Sequence, residues 1–216
     1  MIKKTLEIEC NKLFFDFDGV IVDSNKFKED AISESIRQIN NNDYDASKAI
    51  LFFNQNAGIG REKKLLKFFS KEIVDQILSK YSEKCLEFFS QAKPTEGFID
   101  FIKLIKKYYP NVNIFILSGG KSSEIKNFLE LNNINVFFDK ILGDNISKKE
   151  HLVNEKASIK DLFFGDSRGD MKTAKNHPLG FILVKKFSSK LSRPNLIEEK
   201  DAKFSIDSFL DIKLKV

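Results

Sequence analysis

A chain of 216 residues is long enough to bury one sizeable core together with a smaller inserted unit. Its 36 basic against 31 acidic residues leave a formal net charge of +5, with scattered lysines and no arginine-rich stripe, so nothing points to nucleic acid and the mild excess suits an anionic ligand. Two cysteines, Cys10 and Cys85, make no metal-ligand spacing and no expected disulfide, and no apolar run approaches the roughly 18 residues of a membrane span.

Met1 to Glu9 carry acids where a signal peptide needs an apolar core, and with reduced thiols this sets the expectation of a cytoplasmic protein. The first strand is expected over residues 12 to 16. There Leu13-Phe14-Phe15 delivers two carboxylates, Asp16 and Asp18, to a strand end, and Gly19 turns the chain into Val20-Ile21-Val22. Like charges beside a hydrophobic strand are costly unless something cationic sits between them. A magnesium ion held by oxygen ligands is the natural occupant. Taken alone, Asp-x-Asp-Gly also serves as a polar turn. A calcium loop of the helix-loop-helix kind would need a further acid or amide before its glycine and a glutamate beyond it.

From about residue 25 to 90 no strand is expected. Apolar residues recur at helical spacing instead: Phe27, Ala31, Ile32 and Ile36, then Leu65, Leu66 and Phe69, then Ile73, Val74 and Ile77, then Cys85, Leu86 and Phe89. The segment reads as an inserted helical cap that returns to the core near Pro94, dividing the chain into a core of residues 1–24 and 91–216 and a cap of residues 25–90. Asp23 and Ser24 are placed as caps of its first helix, and Lys28 as a residue that could face the crevice. Within the cap, Asn56-Ala57-Gly58-Ile59-Gly60-Arg61 reads as a glycine-flanked loop entering a helix. Asn56 and Arg61 are the candidates there to read an anionic or polyhydroxyl group.

Beyond the cap, strands are expected at 112–117, 140–142, 161–165 and 180–184, with an edge at 203–206, and helices at 98–108, 122–131, 148–156 and 168–175. Strands separated by helices predict right-handed crossovers: an α/β fold with a Rossmann-like parallel sheet, helices on both faces and the all-helical cap inserted. The second strand ends in Ser118-Gly119-Gly120, a hydroxyl and a backbone free to offer N–H groups to an oxyanion. Lys148, with Lys149 in reserve, stands as a charge clamp. Leu162-Phe163-Phe164 ends in Gly165 and then Asp166 and Asp170. Parallel strands share their carboxyl ends, so both acid pairs converge on one crevice. His151 and His177 are too few and too separated for a zinc site and are expected on the surface or in loops.

Asp16-Phe17-Asp18-Gly19-Val20, Ser118-Gly119, Lys148 and Gly165-Asp166-Ser167-x-x-Asp170, in that order, resemble the haloacid dehalogenase superfamily, in its phosphatase and phosphomutase branch. The resemblance covers nearly the whole chain, including the insert after the first motif. It implies Asp16 as nucleophile, Asp18 as general acid and base, and Ser118 and Lys148 as holders of the transferring phosphoryl group. Gly119 and Gly120 lie beside them, and Asp16, Asp18, Asp166 and Asp170 stand around Mg2+. The dehalogenases lack the second carboxylate of the first motif, so its presence argues for phosphoryl transfer. The stretch at Arg61 is similar to the specificity loop of capped sugar-phosphate enzymes, with Gly60 where they carry serine. The expected activity is hydrolysis of a small phosphorylated sugar or sugar acid by a monomer or weak homodimer. A sugar phosphomutase is the alternative, and a non-catalytic anion-binding module the third.

Overall fold

The computed structural model describes residues 3–40, 42–56, 59–177 and 179–215. Six parallel strands form the central sheet: β2 (Lys12–Phe15), β3 (Asn113–Leu117), β4 (Lys140–Leu142), β5 (Leu162–Gly165), β6 (Gly180–Val184) and β7 (Phe204–Ile206), in the order β4-β3-β2-β5-β6-β7. All six were expected from apolar runs. A separate parallel pair, β1 (Lys4–Leu6) with β8 (Ile212–Leu214), was not, because Lys4-Thr5-Leu6 and Ile212-Lys213-Leu214 contain no continuous apolar run.

The central strands are apolar throughout because both faces are covered. Leu13 stands level with Ile114 and Leu162, Phe14 with Phe115 and Phe163, and Phe15 with Ile116 and Phe164. Alternate residues therefore face opposite sides. Phe14, Phe115, Phe163 and Phe181 pack towards α7 (Lys148–Asn154) and α8 (Arg168–Asn176), through Leu152, Met171 and Ala174. Phe15, Ile116 and Phe164 pack on the other side with α5 (Phe98–Tyr108) and α6 (Ser122–Leu131). The Phe15 and Phe164 rings stack with centroids 4.6 Å apart.

Between β2 and α5 lie α1 (Asn25–Ile39), α2 (Asp43–Gln55), α3 (Arg61–Leu65) and α4 (Lys71–Gln91). Ala31, Ile32, Ser35 and Ile36 of α1 are buried, as are Val74, Ile77, Tyr81, Cys85 and Phe89 of α4, each set recurring at three- and four-residue steps. Phe27 and Phe88 stack between the two helices at 4.2 Å. Phe89 also reaches the sheet layer, with its ring 5.4 Å from Phe17 and 5.9 Å from Phe128. The outgoing and returning chains run antiparallel at Val22 and Pro94.

Several expectations are corrected. Ser24 occupies the N-cap position of α1, but its hydroxyl makes no cap bond and donates to Asp18. A hydrogen bond to an ionised carboxylate is the stronger of the two. His151 is buried, with its Nε2 2.8 Å from the Gly143 carbonyl oxygen, because the inner face of α7 covers the loop after β4. His177 is half-buried at the end of α8. The helix expected over 148–156 stops at Asn154, and Lys156 takes a left-handed φ of 51°. Both cysteines are free and buried. No helix among the described residues is long and apolar enough to cross a membrane.

Candidate active site

The sheet reverses its winding at β2. From there the chain moves out through β3 and β4, then returns through β5, β6 and β7 on the other side. Ligands bind beyond the carboxyl ends of strands at such a switch point. Asp16 follows β2 directly, and its backbone N–H donates to Phe164 O at 2.8 Å, which ties it to β5. Its carboxylate accepts from Phe17 N at 2.8 Å. Gly19 then turns the chain with a φ of +75°; a Cβ there would lie 2.3 Å from both Asn25 Nδ2 and Asp166 Oδ2. Glycine is required at that point by conformation and by space.

On β5 the strand ends in Asp166, and Ser167 opens α8 with a capping box. The Ser167 hydroxyl accepts from the Asp170 backbone N–H, while Asp170 Oδ2 accepts from Ser167 N at 3.2 Å. This box turns the other Asp170 oxygen inward. Oxygens of Asp16, Asp166 and Asp170 consequently lie within 4.8 Å of one another, all buried. Lys148 Nζ is 2.9 Å from Asp16 Oδ1 and 2.6 Å from Asp170 Oδ1. Lys149 is exposed, so the geometry chooses between the two lysines. Among the described residues the Asp166 carboxylate receives only a neutral donor, Asn25 Nδ2 at 2.7 Å, and Asn25 is anchored in turn on Phe187 O at 2.8 Å.

Three acids with one lysine leave excess negative charge. Burial, and then the Asp170 charge, push Asp16 well above the usual carboxylate range, against the pull of Lys148. Burial, Asp170 and Asp16 do the same to Asp166. Burial also works against ionisation of Asp170, but Lys148 and the Ser167 hydroxyl outweigh it and hold Asp170 low. A hard divalent cation with oxygen ligands fits this set and would relieve it.

Asp18 stands apart from the other carboxylates. Its side chain accepts from Ser24 Oγ at 2.5 Å and Lys28 Nζ at 2.7 Å, away from the cluster of Asp16, Asp166 and Asp170. Of the four side chains expected round one cation, three come together and this one does not, because a helix α1 lysine has claimed it. Burial favours its neutral form, yet Lys28 and Ser24 lower its pKa on balance. Ser118 is buried at the end of β3 and its Oγ accepts from Gly120 N at 3.0 Å.

These groups line one cavity of about 160 Å³, below the roughly 300–1,000 Å³ of drug-sized ligand sites. Gly119 and Gly120 are on its wall, and Arg61 closes it from the helical side. Arg61 is not free: both its terminal nitrogens lie on Glu124 of α6, at 3.0 and 2.9 Å, and its guanidinium stands 4.9 Å from the Tyr81 ring. Asn56 does not reach the cavity. Its amide turns back to Phe52 O at 2.8 Å, and Asn54 lines the wall instead. Ala57 and Gly58 of that loop lie outside the described residues.

Sequence reasoning missed Asn25, Lys64 and Glu124 and did not commit to Lys28. Asn25 and Lys28 carry a local signal, since both fall in the first turn of the helix that leaves the acid motif. Glu124 carries none, because its partner is 63 residues away.

A search of curated proteins finds no match. Among solved structures the chain is similar to a haloacid dehalogenase-like family hydrolase of Streptococcus pneumoniae, at 18% identity and TM-score 0.66 over 93% of this chain and 95% of that one. It is similar also to CbbY of Rhodobacter sphaeroides, solved in complex with xylulose-(1,5)bisphosphate, at 13% identity and TM-score 0.72, covering 94% and 96%. A third is a predicted phosphoglycolate phosphatase of Haemophilus somnus, at 13% identity and TM-score 0.68, covering 93% and 95%. At these identities the likeness is one of fold. The sequence pattern of the haloacid dehalogenase-like hydrolases matches residues 13–184, from the first buried strand through the fifth of the central sheet, and the chain belongs to that family.

Proposed function

We propose that the protein is a magnesium-dependent phosphatase of a small phosphorylated metabolite, working through an aspartyl phosphate on Asp16. The observation that carries this is the buried Asp16, Asp166 and Asp170 cluster with Lys148 bridging two of its members. Mg2+ would be held by Asp16, Asp166 and Asp170, and when bound it would supply the positive charge that lets a carboxylate approach a phosphate dianion.

Asp16 is the nucleophile and forms the acyl phosphate, which splits one slow step into two. Lys148, held beside Asp16, offers an ammonium to the phosphoryl oxygens, and Ser118 with the backbone at Gly119 and Gly120 supplies neutral donors. Asp18 protonates the leaving oxygen and afterwards draws a proton from water, a contribution of about 100- to 10,000-fold. Its pairing with Lys28 stabilises the ionised form, which suits the second step. For the first, Lys28 must be drawn off Asp18, and the incoming dianion is the partner that can do so. Residues 25–90 act as a lid that excludes water over this chemistry.

The phosphomutase alternative drew on Arg61 as a holder of a second phosphate. With Arg61 engaged by Glu124, hydrolysis is the better reading. Phosphate release from p-nitrophenyl phosphate and from a panel of sugar and sugar-acid phosphates, with magnesium or with EDTA, tests it. Asp16→Asn should abolish turnover and Asp18→Asn should nearly do so. Substantial activity in purified Asp16→Asn protein would remove the nucleophile, and a silent wild-type enzyme would leave only an anion-binding module.

A further inference from the structure

The cavity has a cation at its helical side that the chemistry above does not use. Lys64, in α3, is buried at 7% exposure. Its Nζ donates to Phe53 O at 3.0 Å and lies 3.6 Å from the Phe53 ring centroid. An ammonium has three donors, and among the described residues this one has no other protein acceptor and no carboxylate within 4.0 Å. The other cations on the cavity wall each stand beside a carboxylate: Lys148 beside Asp16 and Asp170, Lys28 beside Asp18, and Arg61 beside Glu124.

Building on the phosphatase reading, we propose that Lys64 binds a second anionic group of the substrate, remote from the phosphoryl group that Asp16 attacks. The substrate class is therefore a short phosphomonoester that also carries a carboxylate or a second phosphate. A buried ammonium without a counter-ion is costly to keep. A cavity wall that keeps one makes sense where the ligand brings the negative charge. The same wall carries Arg61 from α3, Lys28 from α1 and Tyr81 from α4, with Arg61 neutralised by Glu124 of α6. Burial, with Arg61 and Lys28 nearby, lowers the Lys64 pKa to about 7. An arriving anion would hold the proton on, so recognition of the second group and charging of the lysine are coupled. The small cavity sets the length: few atoms can separate the two anions.

Matched probes read this directly. Glycerol 3-phosphate differs from 3-phosphoglycerate by a hydroxymethyl in place of a carboxylate, and propane-1,3-diol monophosphate from its bisphosphate by a hydroxyl in place of a phosphate. Wild-type enzyme should favour the second-anion member of one pair by about tenfold or more in kcat/KM, and the favoured pair tells carboxylate from phosphate. Lys64→Met should bring that ratio close to one through KM, with p-nitrophenyl phosphate turnover unchanged, and Lys64→Arg should keep the preference. Independently of any variant, the wild-type ratio should fall as pH rises from about 7.5 to about 9.5, where both substrates stay fully ionised and the lysine does not. A ratio near one in wild type, a preference that survives Lys64→Met, or a ratio flat with pH would overturn the proposal alone. No phosphate from any probe, p-nitrophenyl phosphate included, would overturn the phosphatase reading and this with it.

Discussion

Asp166→Asn separates the functional demand on the acid cluster from the demand of the fold. Oxygens of Asp16, Asp166 and Asp170 lie within 4.8 Å. At an effective dielectric of about 20, two unit charges at that separation repel by about 3.5 kcal/mol. Lys148 offsets this for Asp16 and Asp170, whereas Asp166 has only the Asn25 amide. A carboxamide at that position keeps the shape and still accepts from Asn25. Partial protonation already relieves some of the repulsion, so the gain in EDTA near pH 8 should be about 1–3 kcal/mol, or roughly 3–10 °C in Tm for a chain of this size. The pH dependence has a definite sign. A carboxyl whose folded pKa is raised contributes stability below its unfolded value near 3.8, and that stability is lost as pH rises through the folded value. Wild type should thus lose ground to Asp166→Asn from acid towards alkaline pH. Magnesium should offset that gain, since a ligand at about 100 times its Kd adds about 2.7 kcal/mol to the wild-type fold and little to the variant. Thermal denaturation with EDTA or excess magnesium, across pH, measures all of this. An Asp166→Asn protein less stable than wild type in EDTA at pH 8, or one that keeps the full magnesium shift, would refute the argument.

Gly19→Ala should destabilise by more than about 1 kcal/mol and weaken the magnesium shift, because its Cβ would collide with Asn25 and Asp166; equal Tm values for the two proteins would count against it. Glu124→Gln strands the buried Arg61 guanidinium and should cost about 3–5 kcal/mol in urea denaturation. Lys64→Met should stabilise the fold more at pH 6 than at pH 10. The wild-type ammonium, with its pKa lowered from 10.5 to about 7, is carried at a cost that is full below the folded value and gone above the unfolded one. At about 1.4 kcal/mol per pH unit that cost is at most about 5 kcal/mol, and a variant less stable than wild type at pH 6 would contradict it.

Most of the sheet was readable from local pattern. Strands buried on both faces need uninterrupted apolar residues, so Leu13-Phe14-Phe15, Ile114 to Leu117 and Leu162-Phe163-Phe164 declared themselves, and four helices beyond residue 97 followed from their spacing. The acids at the strand ends were equally legible, because a parallel sheet puts the carboxyl ends of its strands on one edge. That inference survives without side-chain detail, and Asp16, Asp166 and Asp170 do meet.

Partner choice was not legible. Lys148 over Lys149 depends on which face of α7 looks inward. Asp18 turns to Lys28 because a helix start happens to present an ammonium there. Arg61 places its guanidinium on Glu124, and Lys64, ordinary in a lysine-rich sequence, becomes a buried cation with no counter-ion among the described residues. Residue type and spacing determine which edge of the sheet carries the chemistry, since backbone geometry repeats. Which charges pair across that edge depends on distances of a few ångströms between segments far apart in the chain, and only the packed molecule decides those.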